Sequence, residues 1–206
     1  IINNKSICNF GINMTNLNGP ILFQGNQFLK HPNPVHQYNW SKSIFLTSSE
    51  AVKIGGENPG EANTLYNIPV YINSPKSAIA QRNSMYCTIE KLNADVFLAD
   101  GGTIPTIKIL TATNSLVTGT TEPNAKVELF SDDDCSTCQP HAYLTTITAD
   151  ANGNWSYAGN FSKAIIASAT INGYTSNFTR IIQKTYANIT QATCNEANGA
   201  IVGLTV

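Results

Sequence analysis

Residues 21–28 read ILFQGNQF, a short apolar run that meets a polar bend at Asn26 and then continues. The same arrangement recurs at residues 1–9 (IINNKSICN), 62–72 (ANTLYNIPVYI) and 78–87 (AIAQRNSMYC). Corresponding points are occupied, with one residue of slippage, by Asn4, Asn26, Asn67 and Asn83. Their separations of 22, 41 and 16 residues indicate a period near 20 with one interval of double length.

A period of this length is typical of a solenoid, in which each turn adds short strands to parallel sheets. Asparagine suits the bends because it tolerates the left-handed backbone conformation, and Asn residues of successive turns can stack as a hydrogen-bonded ladder. We therefore predict parallel turns and an Asn ladder over residues 1–103. The stretch at 31–42, HPNPVHQYNWSK, is predicted to be a loop excursion because its prolines interrupt any strand.

The stretch at residues 52–67, VKIGGENPGEANTLYN, adds a motif to this repeat. It resembles the IGG…PG…N segment that recurs in bacterial right-handed parallel β-helix surface proteins, and the matching positions are Gly55, Gly56, Pro59, Gly60 and Asn63. The resemblance implies that residues 1–103 are the C-terminal turns of a right-handed parallel β-helix whose first turns lie upstream of Ile1.

A different pattern begins at Ile104, where seven short strands are separated by turn residues. This number and spacing of strands predict an immunoglobulin-like β-sandwich over residues 104–182. In Lys126–Phe130 the alternation places Val127 and Leu129 in the core and Glu128 in solvent. The stretches VTGTTEPNAKVELF and TADANGNWSY resemble the bacterial immunoglobulin-like domains that occur in tandem on large adhesins.

The tail at residues 183–206 contains a linker and then a short CNEANGAI stretch. It is similar to the opening of repeats in gliding-motility and surface adhesins of Bacteroidetes. The resemblance implies a piece of a longer surface protein that is exported through type 9 secretion, with neighbouring domains of the same chain and the secretion machinery as partners. The expected location is secreted or on the bacterial cell surface.

Composition excludes two classes of partner. Lys plus Arg number 12 and Asp plus Glu 13, so the net charge is −1 and the basic surface of a nucleic-acid-binding protein is absent. The sequence also has no apolar run near the ~18 residues that a membrane-spanning helix requires. Asparagine numbers 25 and threonine 22, which favours turns and exposed strand faces over helices.

Cys135 and Cys138 form a CxxC pair in a loop between two predicted strands. In secreted β proteins such a pair is typical of a local disulfide, which we predict here. Zinc held by this pair with His141 and one residue of the Asp132–Asp134 triplet is an alternative. Calcium at the triplet is a second alternative, whereas DANGN at residues 150–154 is explained as a hairpin turn. No cofactor is otherwise predicted.

Two aromatic residues of the loop excursion, Tyr38 and Trp40, are candidate contacts for a polysaccharide or another protein, and packing back onto the solenoid is their alternative role. The carboxylates are scattered over loops and turns: Glu57, Glu61, Asp95 and Asp100 are predicted to be solvated. The sequence therefore predicts no catalytic residues.

Together these features predict a non-catalytic structural and binding segment of an adhesin-like surface protein, which serves cell-surface attachment or motility. The alternative is the C-terminal part of a β-helix carbohydrate-active enzyme, a polysaccharide lyase or glycosidase, whose catalytic turns lie upstream of Ile1. Carboxylates aligned in a groove on equivalent turns would favour the enzyme.

Overall fold

The computed structural model describes residues 2–6, 12–29, 44–48, 50–66, 68, 70–73, 76–86, 104–132, 141–179, 189–190 and 200–201. Over these residues the chain forms strands in several sheets and no helix. The prediction of an all-β chain is confirmed. The loop excursion at 31–42 lies outside the described residues.

The first ten strands pass through three sheets in a repeating order. The first passage is β1 (Lys5–Ser6), β2 (Ile12–Leu17) and β3 (Ile21–Phe23), and the second is β4 (Gln27–Phe28), β5 (Ile44–Ser48) and β6 (Ala51–Gly55). The third is β7 (Thr64–Tyr66), β8 (Val70–Asn73) and β9 (Ser77–Gln81), after which β10 (Ser84–Tyr86) returns to the first sheet. All pairs within the sheets β1-β4-β7-β10, β2-β5-β8 and β3-β6-β9 are parallel. We call residues 5–86 the parallel part.

Equivalent apolar residues of successive passages stack inside the parallel part. Phe28 pairs in register with Leu65, and Leu65 with Met85, and all three side chains are buried. Phe23 and Ile54 stack in the same way in the third sheet. Because strand side chains alternate between the two faces of a sheet, this register keeps one face of every strand in the core.

Buried asparagines form the predicted ladder, with one correction to its membership. Asn26 is buried and donates from its backbone N and its Nδ2 to Asn63 Oδ1, at 2.8 and 3.0 Å. Asn63 donates in the same two ways to Asn83 Oδ1, at 3.0 and 2.8 Å. Asn4 donates to Asn26 Oδ1 in the same two ways at the exposed end. The third member is therefore Asn63, and the assignment of Asn67 was wrong.

The loop between Gly55 and Asn63 is the reason for that error. In the first passage only two residues, Gln24 and Gly25, separate strand β3 from the ladder asparagine, whereas the second passage inserts a longer loop at this point. Gly55 has a φ of +73°, and a Cβ there would lie 2.2 Å from the carbonyl oxygen of Gln81. Glycine is required at this position because the next turn passes so close.

The next seven strands form two antiparallel layers. They are β11 (Ile107–Ala112), β12 (Leu116–Thr121), β13 (Lys126–Asp132), β14 (His141–Thr148), β15 (Asn154–Ala158), β16 (Ala164–Ile171) and β17 (Tyr174–Thr175). One sheet has the order β11-β12-β15, and the other contains β14-β13-β16-β17. Val127, Leu129 and Trp155 lie in the core between them, as the alternation predicted for the first two. We call residues 107–175 the antiparallel part. A short antiparallel pair, β18 (Ile189–Thr190) with β19 (Ala200–Ile201), follows it.

The two parts share one sheet. Strand β17 pairs with β9 in parallel at Tyr174 and Ala78, which joins the strands into the order β14-β13-β16-β17-β9-β6-β3. The change from parallel to antiparallel pairing falls between Tyr86 and Ile107, where the sequence pattern changes. The division of the chain into separate domains at residues 103 and 182 stays a prediction.

One side-chain orientation was predicted wrongly. Glu128 was expected in solvent, but its side chain is buried, with 3% of the residue exposed. The outer face of β13 packs against the last turn of the parallel part, so both faces of this strand are covered. An alternation of apolar and polar residues distinguishes the two faces but does not show that the polar face meets water.

Candidate functional site

The junction between the two parts contains the candidate site. Three backbone amides at alternate positions of the last turn donate to the antiparallel part: Ala78 N to Gly173 O at 2.9 Å, Ala80 N to Thr175 Oγ1 at 3.0 Å and Arg82 N to Glu128 Oε2 at 2.9 Å. At an open sheet edge, such amides would be free to pair with a strand of another chain. Here the antiparallel part covers the edge of β9.

Glu128 is an ionisable group with a strongly shifted pKa. Burial of its carboxyl group raises the pKa of Glu128 to about 7, because the charged form loses its solvation. The bond from the backbone N of Arg82 and the nearby guanidinium act in the opposite direction but do not cancel the effect of burial. The carboxyl group of Glu128 therefore changes its charge near neutral pH.

Arg82 connects Glu128 to the neighbouring loop. Its backbone is left-handed, with a φ of +55°, which an L-residue with a side chain adopts only at a steric cost. The guanidinium lies over the ring of Tyr143, 4.9 Å from its centroid, and Nη1 donates to the carbonyl oxygen of Glu57. Its Nε is buried and has no hydrogen-bond acceptor among the described residues.

Glu57 lies in the loop after Gly56 and faces the antiparallel part. Lys126 Nζ lies 2.6 Å from Glu57 Oε1, and Gln81 Nε2 donates to the same oxygen at 2.9 Å. The bond from Lys126 holds the pKa of Glu57 below its ordinary value. Glu57 is exposed as predicted, but it pairs with a cation of the antiparallel part and is more than a solvated turn residue.

Two carboxyl groups with pKa values shifted in opposite directions are a pattern of acid–base catalysis. Here each carboxyl group has a partner on the other side of the junction, the backbone N of Arg82 for Glu128 and Lys126 for Glu57. The arrangement of Glu57, Arg82 and Glu128 is therefore suited to holding the two parts together.

Two other carboxylates, Asp150 and Glu61, accept hydrogen bonds within their own turn or loop. Asp150 accepts hydrogen bonds from the backbone N of Asn152 and of Asn154, both at 2.8 Å, as the hairpin-turn interpretation of DANGN requires. These bonds lower the pKa of Asp150. Glu61 accepts bonds from the backbone N and Nδ2 of Asn58 within its own loop, and these bonds lower the pKa of Glu61.

Several predicted site residues lie outside the described residues. They are Cys135 and Cys138 of the predicted disulfide, the aromatic contacts Tyr38 and Trp40, and the acidic residues Asp95, Asp100, Asp133 and Asp134. The disulfide, the zinc alternative and the calcium alternative stay predictions. Within the described part of the chain, no group of three or more His, Cys, Asp or Glu residues is placed to hold a metal ion.

Sequence reasoning missed Arg82, Lys126 and Glu128 as members of one cluster. A signal was present for Arg82, because QGN at residues 24–26 and QRN at 81–83 are equivalent bends. The equivalent bend has a left-handed glycine, Gly25, so an arginine at position 82 is unexpected. This difference marks Arg82 as a candidate functional residue. No comparable signal marks Lys126 or Glu128.

Comparison with known proteins gives no match: no protein-family model, no curated protein and no solved structure is similar to this chain. A search of the described residues for a helix long and apolar enough to cross a membrane finds none.

Proposed function

We propose that this chain is a non-catalytic structural and binding segment of a bacterial surface-exposed or secreted adhesin-like protein. The observation that carries the proposal is the seven-stranded sheet that continues from the parallel part into the antiparallel part. Three amide bonds and the Glu57–Lys126 ion pair reinforce this connection. A joint of this kind fixes the orientation of one part relative to the other. A stalk requires this, and a flexible linker does not provide it.

The fold proposed for this segment is the end of a right-handed parallel β-helix followed by an immunoglobulin-like sandwich. Repeated passage through three parallel sheets, together with a ladder of buried asparagines, supports the β-helix. Two antiparallel sheets around a core with one tryptophan support the sandwich. Tandem domains of the same chain, the secretion machinery and a surface polysaccharide or protein are the partners that fit this proposal.

A second candidate function is supported by the opposite pKa shifts of Glu57 and Glu128. In this alternative the chain is the C-terminal part of a β-helix polysaccharide lyase or glycosidase. The bonds that both carboxyl groups make across the junction, to Arg82 N and to Lys126, favour the adhesin-like segment over the enzyme.

The two candidates differ in the effect of this chain on polysaccharides if Glu57 and Glu128 are the acid–base pair of the second one, because catalytic turns upstream of Ile1 are absent from the 206-residue chain. We expect the 206-residue chain to release no reducing sugar or unsaturated uronate from a panel of plant, algal and bacterial polysaccharides, with or without calcium. The assay measures reducing ends and absorbance at the wavelength of unsaturated uronates. Turnover that is lost in Glu57→Gln and kept in Glu50→Gln, a variant at an exposed ion pair with Lys76, would place the enzyme first.

A further inference from the structure

A cleft opens at the side of the antiparallel part, next to an edge strand of each of its two sheets. Strand β14 is the edge of the seven-stranded sheet, and β15 is the edge of the three-stranded sheet. Residues of both strands line a cleft of about 350 Å³, whose floor includes Ser131 and Ile165, a pair in register between β13 and β16. This volume falls within the range of about 300 to 1,000 Å³ that is usual for small-molecule sites.

One wall of the cleft is aromatic. The rings of Tyr157 and Phe161 lie 5.9 Å apart with an angle of 53° between their planes. Gly159 lies between them, and a Cβ there would be 2.8 Å from Phe161 Cζ and 3.3 Å from Tyr157 Cε1. Only glycine lets both rings keep these positions, so the shape of the wall depends on all three residues.

The opposite wall carries an exposed leucine at a β-bulge. The pairing of β13 with β14 passes from Tyr143 directly to Thr145, so Leu144 has no partner in that ladder. A bulge re-aims the side chain of its extra residue, and Leu144 is among the residues that line the cleft. It is 42% exposed, so its side chain is accessible to a molecule bound in the cleft.

The remaining lining from the described residues is polar and contains no carboxylate: Ser131, Asn160, Ser162 and Lys163. An amide group offers both donors and an acceptor, and a hydroxyl offers one donor and an acceptor. A ligand matched to this lining has one apolar face and a rim of hydroxyl groups, which is the chemistry of a pyranose ring. A peptide strand would instead present backbone groups to the edge of β14 and would not need the aromatic wall.

We infer that this cleft binds a pyranose unit of a polysaccharide, with the apolar face of the sugar against Tyr157 and Leu144 and its hydroxyl groups toward Asn160 and Ser162. The inference rests on the proposed binding function and assigns it a site. Tyr157 provides the contact area, while Gly159 and Phe161 hold its ring in place.

Titration of the ¹⁵N-labelled 206-residue chain with cellotriose, maltotriose, chitotriose and tri-galacturonate tests this site. With at least one probe, we expect saturable changes in the amide resonances of Leu144 and residues 157–163. Tyr157→Ala and Asn160→Ala are each expected to weaken that binding, the first by about tenfold or more, because aromatic anchors carry most of the energy at such sites. Asn160 is exposed, so its variant keeps the fold.

Tyr71→Ala is the matched control, because Tyr71 is a partly exposed tyrosine that stacks on Phe45 in the parallel part. It should leave the binding unchanged. Saturable changes confined to the parallel part would overturn the cleft as the site while leaving the proposed function in place. The inference would also be overturned if Tyr157→Ala and Tyr71→Ala weakened binding at the cleft equally. The same holds if no probe gave a saturable change. Sugar turnover, in contrast, would contradict the proposed function.

Discussion

Replacement of Asn63 by alanine is expected to lower the free energy of unfolding by about 3 to 5 kcal/mol, because it leaves several buried groups without partners. Asn63 Oδ1 accepts two bonds from Asn26, and its Nδ2 donates to the carbonyl oxygen of Phe23 and to Asn83 Oδ1. All of these groups lie where water does not reach them. A buried donor or acceptor that loses its partner costs about 1 to 3 kcal/mol, and neighbouring losses in one network do not simply add.

Urea-induced unfolding followed by far-UV circular dichroism measures this effect. Asn4→Ala is the matched control, because Asn4 is the exposed end of the same ladder and only donates within it. We expect its unfolding midpoint to change little, with a cost of about 1 kcal/mol or less. Equal costs for Asn4→Ala and Asn63→Ala would show that the ladder is not a source of stability.

The free energy of unfolding is expected to fall by about 3 kcal/mol between pH 4.5 and pH 8 on account of Glu128. Its pKa is about 7 in the folded chain against an ordinary value of 4.5, and each pKa unit corresponds to about 1.4 kcal/mol. Between these two values the folded state holds a proton that the unfolded state has released. The contribution of Glu128 to stability is therefore fully present below pH 4.5 and is lost as the pH rises through 7.

Glu128→Gln isolates this contribution, because the amide oxygen can still accept the bond from Arg82 N and carries no charge at any pH. We expect this variant to match the wild type near pH 4.5 and to be more stable by about 3 kcal/mol at pH 8. The difference between the two proteins cancels contributions that the substitution leaves unchanged. The effect of Glu128 is also distinct from those of Glu57, Glu61 and Asp150. The pKa values of these three groups are lowered, so their contributions to stability are lost at more acidic pH.

Glu50→Gln is the control for removing a carboxylate, since Glu50 pairs with Lys76 at the surface. Loss of this surface ion pair should change the free energy of unfolding by about 1 kcal/mol or less at pH 8. A difference between wild type and Glu128→Gln that stays constant from pH 4.5 to pH 8 would mean that Glu128 is not a buried titrating group.

The sequence pattern of the parallel part was informative because its repeat comes from contacts between successive turns. The left-handed residue of three bends is not the ladder asparagine, as we expected, but the residue before it: Asn3, Gly25 or Arg82. The asparagine supplies the side chain that pairs with its copies, so Asn4, Asn26 and Asn83 could be aligned directly. Asn63 was displaced from its expected place because the loop after Gly55 adds residues without changing the stack. Position within the turn, rather than spacing along the chain, decides which asparagine joins the ladder.

The junction could not be predicted in the same way. Alternation in β13 correctly assigned Val127 and Leu129 to the core, because that face is covered by the antiparallel part itself. The opposite face is covered by residues that precede it by more than forty positions, among them Arg82. No local pattern carries that information, so Glu128 looked like a solvent-exposed residue.

Hydrogen exchange of three backbone amides tests most directly whether the two parts form one joined structure. The amides of Ala78, Ala80 and Arg82 donate across the junction, whereas that of Ser84 donates to Asn63 O within the parallel part. Exchange measured by NMR in deuterated buffer compares them. We predict that the three junction amides are protected to within about tenfold of Ser84, since protection reports the free energy of opening. Junction amides that exchange at the rate of an unstructured peptide, while Ser84 stays protected, would contradict a rigid joint.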